Sequence, residues 1–137
     1  MSEAEQLETV KRVYEAFTTG NLPALLELMT VDVEMIPPIF SGETSVIGWG
    51  QTWHGRDGVT RYLATIGSEL EFEVFQPDAF IVGSENVVVQ GHERCRVRST
   101  GRVVDANWVQ IFSLRDGKVS RHREYSDTAA WEAGYAT

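Results

Sequence analysis

The chain has 137 residues, 42% of them hydrophobic and 23% charged, and a formal net charge of −8 at pH 7. That length suits one domain, residues 1–137, with a single hydrophobic core. The acidic balance argues against a nucleic-acid partner, since polyanion binders carry a basic footprint. No apolar run approaches the roughly 18 residues of a membrane span, and no targeting segment or repeat is present, so no membrane association is expected. The lone Cys95 excludes an intramolecular disulfide and suits a reducing, cytoplasmic compartment.

In chain order, Ser2 and Glu5 form a capping-box pattern, after which Leu7, Val10, Tyr14 and Phe17 recur at helical spacing up to Gly20. Asn21 caps a second predicted helix, with Pro23 in its first turn and Leu22, Leu25, Leu26 and Met29 along one side. A short strand over Val33–Ile36 ends at Pro37 and Pro38. Ile39 to Gly55 reads as a long loop holding Trp49, Trp53 and His54; its two tryptophans imply docking, as a pocket lid in preference to a dimer contact. Asp57 is the expected cap of a third helix carrying Val59, Tyr62, Leu63 and Ile66.

The rest reads as sheet. Glu71 to Val82 alternates and is interrupted near Pro77, where a bulge or an edge is expected. From Val87 to Arg98, Val87, Val89, Gly91, Glu93, Cys95 and Val97 share one face, and Arg94, Arg96 and Arg98 the other. Glu93 is either a pocket carboxylate or a strand-end charge; Cys95 reads as small core filler, and the arginine row as a solvated or dimer-facing surface. Val103 to Leu114 follows, and Asp127 caps a short final helix, Thr128 to Gly134. Helices first and a meander afterwards indicate an α+β fold with an antiparallel sheet.

Asp116-Gly117 between two alternating runs is a hairpin signal. A two-residue loop sets Leu114 opposite Val119 and places Arg121 and Arg123 beside Phe112 and Gln110, burying two arginines among aromatics at high cost. A three-residue loop with Gly117 left-handed shifts the register by one, so that Trp108, Gln110, Phe112 and Leu114 share a face with Ser120, His122, Glu124 and Ser126. The second register is the expected one. It gives an apolar face carrying a carboxylate, an imidazole and an amide, the pattern of a pocket.

Several of these stretches, Gly20-Asn-Leu, Val31-Asp-Val-Glu34, Trp53-His-Gly-Arg-Asp-Gly-Val59, Leu114-Arg-Asp-Gly-Lys-Val119 and Arg123-Glu-Tyr-Ser-Asp-Thr-Ala129, occur together in that order. The chain thereby resembles the SnoaL-like polyketide cyclase branch of the nuclear-transport-factor-2-like superfamily, which also includes ketosteroid isomerase. The likeness runs from about Glu5 to Trp131 and carries fold more than chemistry. It implies a curved antiparallel sheet wrapped on three N-terminal helices, a cone-shaped α+β barrel with a deep pocket. The cyclases' acid/base aspartate falls on Glu124, and its partner histidine on Gln110. The steroid isomerase match is poorer: its base falls on Met35, its oxyanion tyrosine on Val13 and its second oxyanion donor on Gln110.

The expected function is a cofactor-independent isomerase or cyclase for a hydrophobic small molecule. Glu124 would remove a proton next to a carbonyl, and Gln110 or His122 would hydrogen-bond the enolate oxygen. Trp108, Phe112, Glu93, Trp49, Trp53 and Tyr62 are the expected substrate contacts. The alternative is a module that binds such a molecule without turning it over. No metal site is expected, because His54 lies on a loop and His92 points outward. A homodimer through the outer sheet face, using Val109, Ile111 and Tyr125, is expected as well.

Overall fold

A computed structural model describes residues 1–40 and 46–137, so the middle of the predicted Ile39–Gly55 loop lies outside the described residues. Helix α1 (Glu3–Thr18) starts at the expected capping box: the Glu5 amide donates to Ser2 Oγ at 3.1 Å, and the Ser2 amide to Glu5 Oε1 at 3.2 Å. Val10, Val13 and Tyr14 are buried on its inner side. Gly20 takes a left-handed turn (φ 68°) into α2 (Leu22–Glu27), where Asn21 Oδ1 accepts from the Ala24 amide at 3.2 Å.

Strand β1 (Met29–Ile36) is longer than the expected Val33–Ile36, and the loop after it contains a short strand, β2 (Trp53–His54), paired antiparallel with β1. Gly55 (φ 74°) then turns directly into α3 (Gly55–Glu69), so the helix begins before Asp57. Asp57 is therefore not the cap but an exposed residue of the first turn, where its charge favours the helix dipole.

Strands β3 (Leu70–Val82), β4 (Asn86–Val97), β5 (Val103–Arg115) and β6 (Lys118–Ser126) form the antiparallel meander, and helix α4 (Thr128–Tyr135) follows with Asp127 as its cap. Strand order is β2-β1-β6-β5-β4-β3. The sheet departs from the expected geometry in one pairing. β1 runs parallel to β6 where an all-antiparallel sheet was expected, and the curved sheet wraps on the helices as expected, with β2 and β3 as its two edge strands. Edge strand β3 shifts register at Phe72/Val74 and again at Pro77/Ala79, the second at the expected proline, which has no N–H to give the ladder.

The β5–β6 hairpin reaches the expected register by an unexpected route. Asp116 (φ 52°) and Gly117 (φ 80°) make a two-residue turn with Arg115 opposite Lys118 and Leu114 opposite Val119, so the three-residue loop is not formed. The ladder then slips by one: Ser113 pairs with Arg121, leaving Ser120 as the extra residue of a bulge, its hydroxyl donating to Ser113 O at 3.2 Å. Beyond the bulge Phe112 faces His122, and Gln110 faces Glu124. Arg121 is exposed and reaches Glu34 at 2.8 Å, while the Arg123 guanidinium lies over the Phe40 and Tyr125 rings. The cost of burying two arginines is thus avoided by the bulge rather than by the turn.

Candidate active site

The inner side of the sheet and helices α1 and α3 enclose a cavity of about 80 Å³. Among the described residues its wall is mostly apolar and no Lys or Arg lines it; their polar side chains are Tyr14, Tyr62, Glu93, Gln110, His122 and Glu124 together with the indoles of Trp49 and Trp131. Phe17, Phe72 and Phe75 stand at the lining's more accessible side, packed edge to face with centroid separations of 5.1–6.2 Å.

Across the cavity wall runs a three-residue chain. The Tyr14 hydroxyl donates to Gln110 Oε1 at 2.6 Å, and Gln110 Nε2 donates to Glu124 Oε1 at 2.7 Å. Each link comes from a different element, α1, β5 and β6, and the Gln110–Glu124 pairing follows from the bulged register. Glu124 is 9% exposed. Burial pushes its carboxyl well above the ordinary carboxylate range, and the neighbouring Glu93 adds to the rise; the Gln110 amide opposes them. Glu93, 4% exposed, is raised mainly by burial, with the Cys95 thiol donating to Oε1 at 3.4 Å as the only opposing influence. With no cation in the wall, two ionised carboxylates cannot both be accommodated cheaply.

His122 packs edge-on against Phe112 with centroids 4.8 Å apart. Burial lowers its pKa to about 4, so at neutral pH it is an uncharged imidazole, and its Nδ1 has no hydrogen-bond partner. The Tyr62 hydroxyl also makes no hydrogen bond among the described residues; burial first, then the charges of Glu124 and Glu93, hold its pKa well above normal, so it remains a donor.

Of the sequence-predicted residues, Glu124, His122, Gln110, Phe112, Glu93, Trp49 and Tyr62 line the cavity. Trp108 and Trp53 do not. Trp108 is stacked in the core between Phe75 (5.2 Å) and Tyr14 (6.2 Å), over a strand position where only Gly91 leaves room. Trp53 packs on Tyr62 and donates to Trp49 O at 3.1 Å. Trp49 is part of the packed core: its indole donates to the Tyr135 hydroxyl at 3.0 Å, which donates to Glu69 at 2.7 Å, and its ring stands edge-on to Trp131. Glu93 resolves as a pocket carboxylate. Sequence reasoning placed Tyr14 only on the helical stripe of α1 and missed its hydrogen bond to Gln110. The available signal was a tyrosine on the buried stripe of α1, whose hydroxyl needs a partner inside. His54 and His92 lie outside the cavity beside Glu34 and Asp78, and among the described residues no group of three His, Cys, Asp or Glu side chains could hold a metal ion.

An open curved sheet backed by helices around an acid-bearing apolar cavity defines a nuclear-transport-factor-2-like protein. A protein so described from Burkholderia xenovorans superposes with a TM-score of 0.87 at 30% identity, covering 99% of each chain. Residues 10–122 match the SnoaL-like domain, and the chain belongs to that family. TerC, in a crystal structure with polyporic acid, is 26% identical with a TM-score of 0.82, over 97% of this chain and 99% of its own. The uncharacterized protein Rv0034 of Mycobacterium tuberculosis is 25% identical over 137 residues, 99% of this chain and 100% of its own.

Proposed function

We propose that the cavity takes an uncharged, hydrophobic carbonyl compound and that Glu124 removes a proton from the carbon next to the carbonyl, as in an isomerase or cyclase without a cofactor. The observation that carries this reading is the Tyr14–Gln110–Glu124 chain, which fixes one oxygen of a buried carboxyl on the cavity wall and leaves the other for a ligand. A carboxyl whose affinity for protons is raised by burial is a stronger base once ionised, which suits proton abstraction near neutrality. The enolate oxygen needs donors that are not already engaged. Gln110 is engaged with Glu124, which shifts that role to the cavity-lining Tyr62 and to His122, whose Nδ1 has no partner. TerC's co-crystallisation with polyporic acid adds support for an organic small-molecule ligand, though not for its lack of charge.

Glu124→Gln preserves shape and a hydrogen-bonding tip but removes the base. Cyclic β-keto esters and enolisable ketones should exchange α-protons for deuterium in the wild type and about 10²–10⁴-fold more slowly in this variant. Exchange at the wild-type rate in the variant would remove Glu124 from the mechanism. A second reading, a binding module without turnover, is favoured by one observation: the residue facing the carboxyl is a glutamine, which cannot titrate. It prevails if no ketone exchanges while a hydrophobic ligand binds tightly.

We also propose a homodimer through the outer sheet face, where Tyr125 is 49% and Ile81 55% exposed beside Val109 and Ile111.

A further inference from the structure

Trp49 borders the cavity, yet proton abstraction does not explain how its ring is held. Its main chain is fixed by two donors to its carbonyl, Trp53 Nε1 at 3.1 Å and the Gln51 amide at 2.8 Å. The direction of the ring is set at the indole N–H instead. That group donates to the Tyr135 hydroxyl on α4 at 3.0 Å, and the hydroxyl donates to Glu69 Oε1 at 2.7 Å. A hydroxyl has a single proton to give, so the bond to Glu69 turns the Tyr135 lone pairs toward Trp49. Glu69 Oε1 also accepts from the Gly48 amide at 3.1 Å. The fit is close there, and a Cβ on Gly48 would collide with Glu69 Oε2. Glu69 itself is well anchored. It is the last residue of α3, Leu70 opens β3 with no loop between them, and the Arg98 amide donates to Glu69 O at 2.9 Å.

The ring so held is one side of the ligand space. Trp49 lines the cavity together with Trp131, Ile66 and Leu70, and it stands edge-on to Trp131 with centroids 5.0 Å apart. We propose that Glu69 is a positioning residue that, through Tyr135 and the Gly48 amide, holds Trp49 as a fixed wall and thereby sets the size of ring system the cavity prefers. The inference rests on the reading of the cavity as a site for an uncharged, hydrophobic carbonyl compound, and it holds whether or not that compound is turned over. A compact ligand leaves the wall in place. A longer fused-ring ligand displaces Trp49 and breaks the bonds to Tyr135 and Glu69, so its binding loses what those bonds contribute. Glu69 does not line the cavity; it acts on selectivity by making displacement of the wall costly.

The first test needs no ligand. In hydrogen exchange followed by NMR, the Trp49 indole N–H should exchange about 10-fold faster in Glu69→Ala than in wild type, measured relative to amides of the β4–β5 ladder. Unchanged exchange at Trp49 overturns the coupling. A rise shared equally by the ladder reports a general loss of stability and overturns it too. The second test measures by calorimetry the binding of acetophenone, 2-acetylnaphthalene and 2-acetylphenanthrene, uncharged carbonyl compounds of increasing ring length. The affinity ratio of the largest to the smallest should rise about 10-fold in Glu69→Ala, because the bonds that a large ligand must break are already gone. Gly48→Ala, whose added methyl pushes the carboxylate aside from the opposite side of the contact, should raise the ratio in the same direction. Glu69→Gln keeps an acceptor for both donors and should restore the wild-type ratio. A merely structural role weakens all three ligands alike and leaves the ratio unchanged, a result that overturns this inference alone. If none of the three binds wild type, the reading of the cavity as a site for such compounds falls, and this inference with it.

Discussion

Burial acts on the imidazole and the carboxyls of this cavity in opposite senses. A buried imidazole resists its proton and a buried carboxyl retains one, since in both cases the charged form is penalised. His122 protonates near 6.5 in an unfolded chain but only near 4 in the folded one. The unfolded state therefore binds more protons between those values, and stability falls as pH drops through that window, by on the order of 3 kcal/mol for this one residue. Glu93 and Glu124, raised in the folded state, act with the reverse slope: their contribution is best below the ordinary carboxylate range and weakens as pH rises. His122→Gln should accordingly lose less stability between pH 7 and pH 5 than wild type does. Urea unfolding at both pH values checks this, and equal losses in the two proteins would mean that His122 is protonated in the fold.

At the level of elements, two adjustments by single residues place the functional groups. One is the Ser120 bulge, which turns Glu124 inward and Arg121 outward. The other is Gly91 on β4, where a Cβ would collide with the Trp108 ring and lie 2.5 Å from Gln76 O. Trp108 in turn supports Tyr14, the first link of the chain to Glu124. Gly91→Ala should thus cost about 1–3 kcal/mol, the usual worth of overpacking, and should also loosen Tyr14. A thermal melt within a degree of wild type would show that the ring moves aside freely. These adjustments mark where the sequence was legible. The capping box, the Asn21 and Asp127 caps, the break near Pro77 and the inward facing of His122 and Glu124 follow from local patterns that tertiary structure did not override. The two-residue turn was misjudged because regular pairing was assumed, and the Ser120 bulge, unlike the break at Pro77, has no sequence signature beyond the burial cost it relieves. The parallel β1–β6 pairing and the Tyr14–Gln110 contact join residues 87 to 96 positions apart, a range over which periodicity carries no information.

The whole molecule presents two apolar surfaces of different kind: the enclosed cavity and the outer face around Ile81 and Tyr125. On the outer face the arginine row is tied to acidic neighbours, Arg94 to Glu73 and Asp105, Arg96 to Glu73 and Arg98 to Glu71, which leaves the aliphatic side chains between β3 and β6 as the part to be covered. Sedimentation at micromolar concentration should give a species of twice the 15.4 kDa chain mass. A single 15.4 kDa species would contradict the dimer. Tyr125→Glu should shift any dimer toward monomer, because it sets a charge in the middle of that face.

The division of the tryptophans has an optical consequence. Trp49 and Trp131 border the cavity, whereas Trp53 and Trp108 are packed away from it. The chain's intrinsic fluorescence therefore has one pair of emitters that senses the cavity's contents and another that serves as an internal reference. Occupancy can be followed without a label, through the change in emission of Trp49 and Trp131.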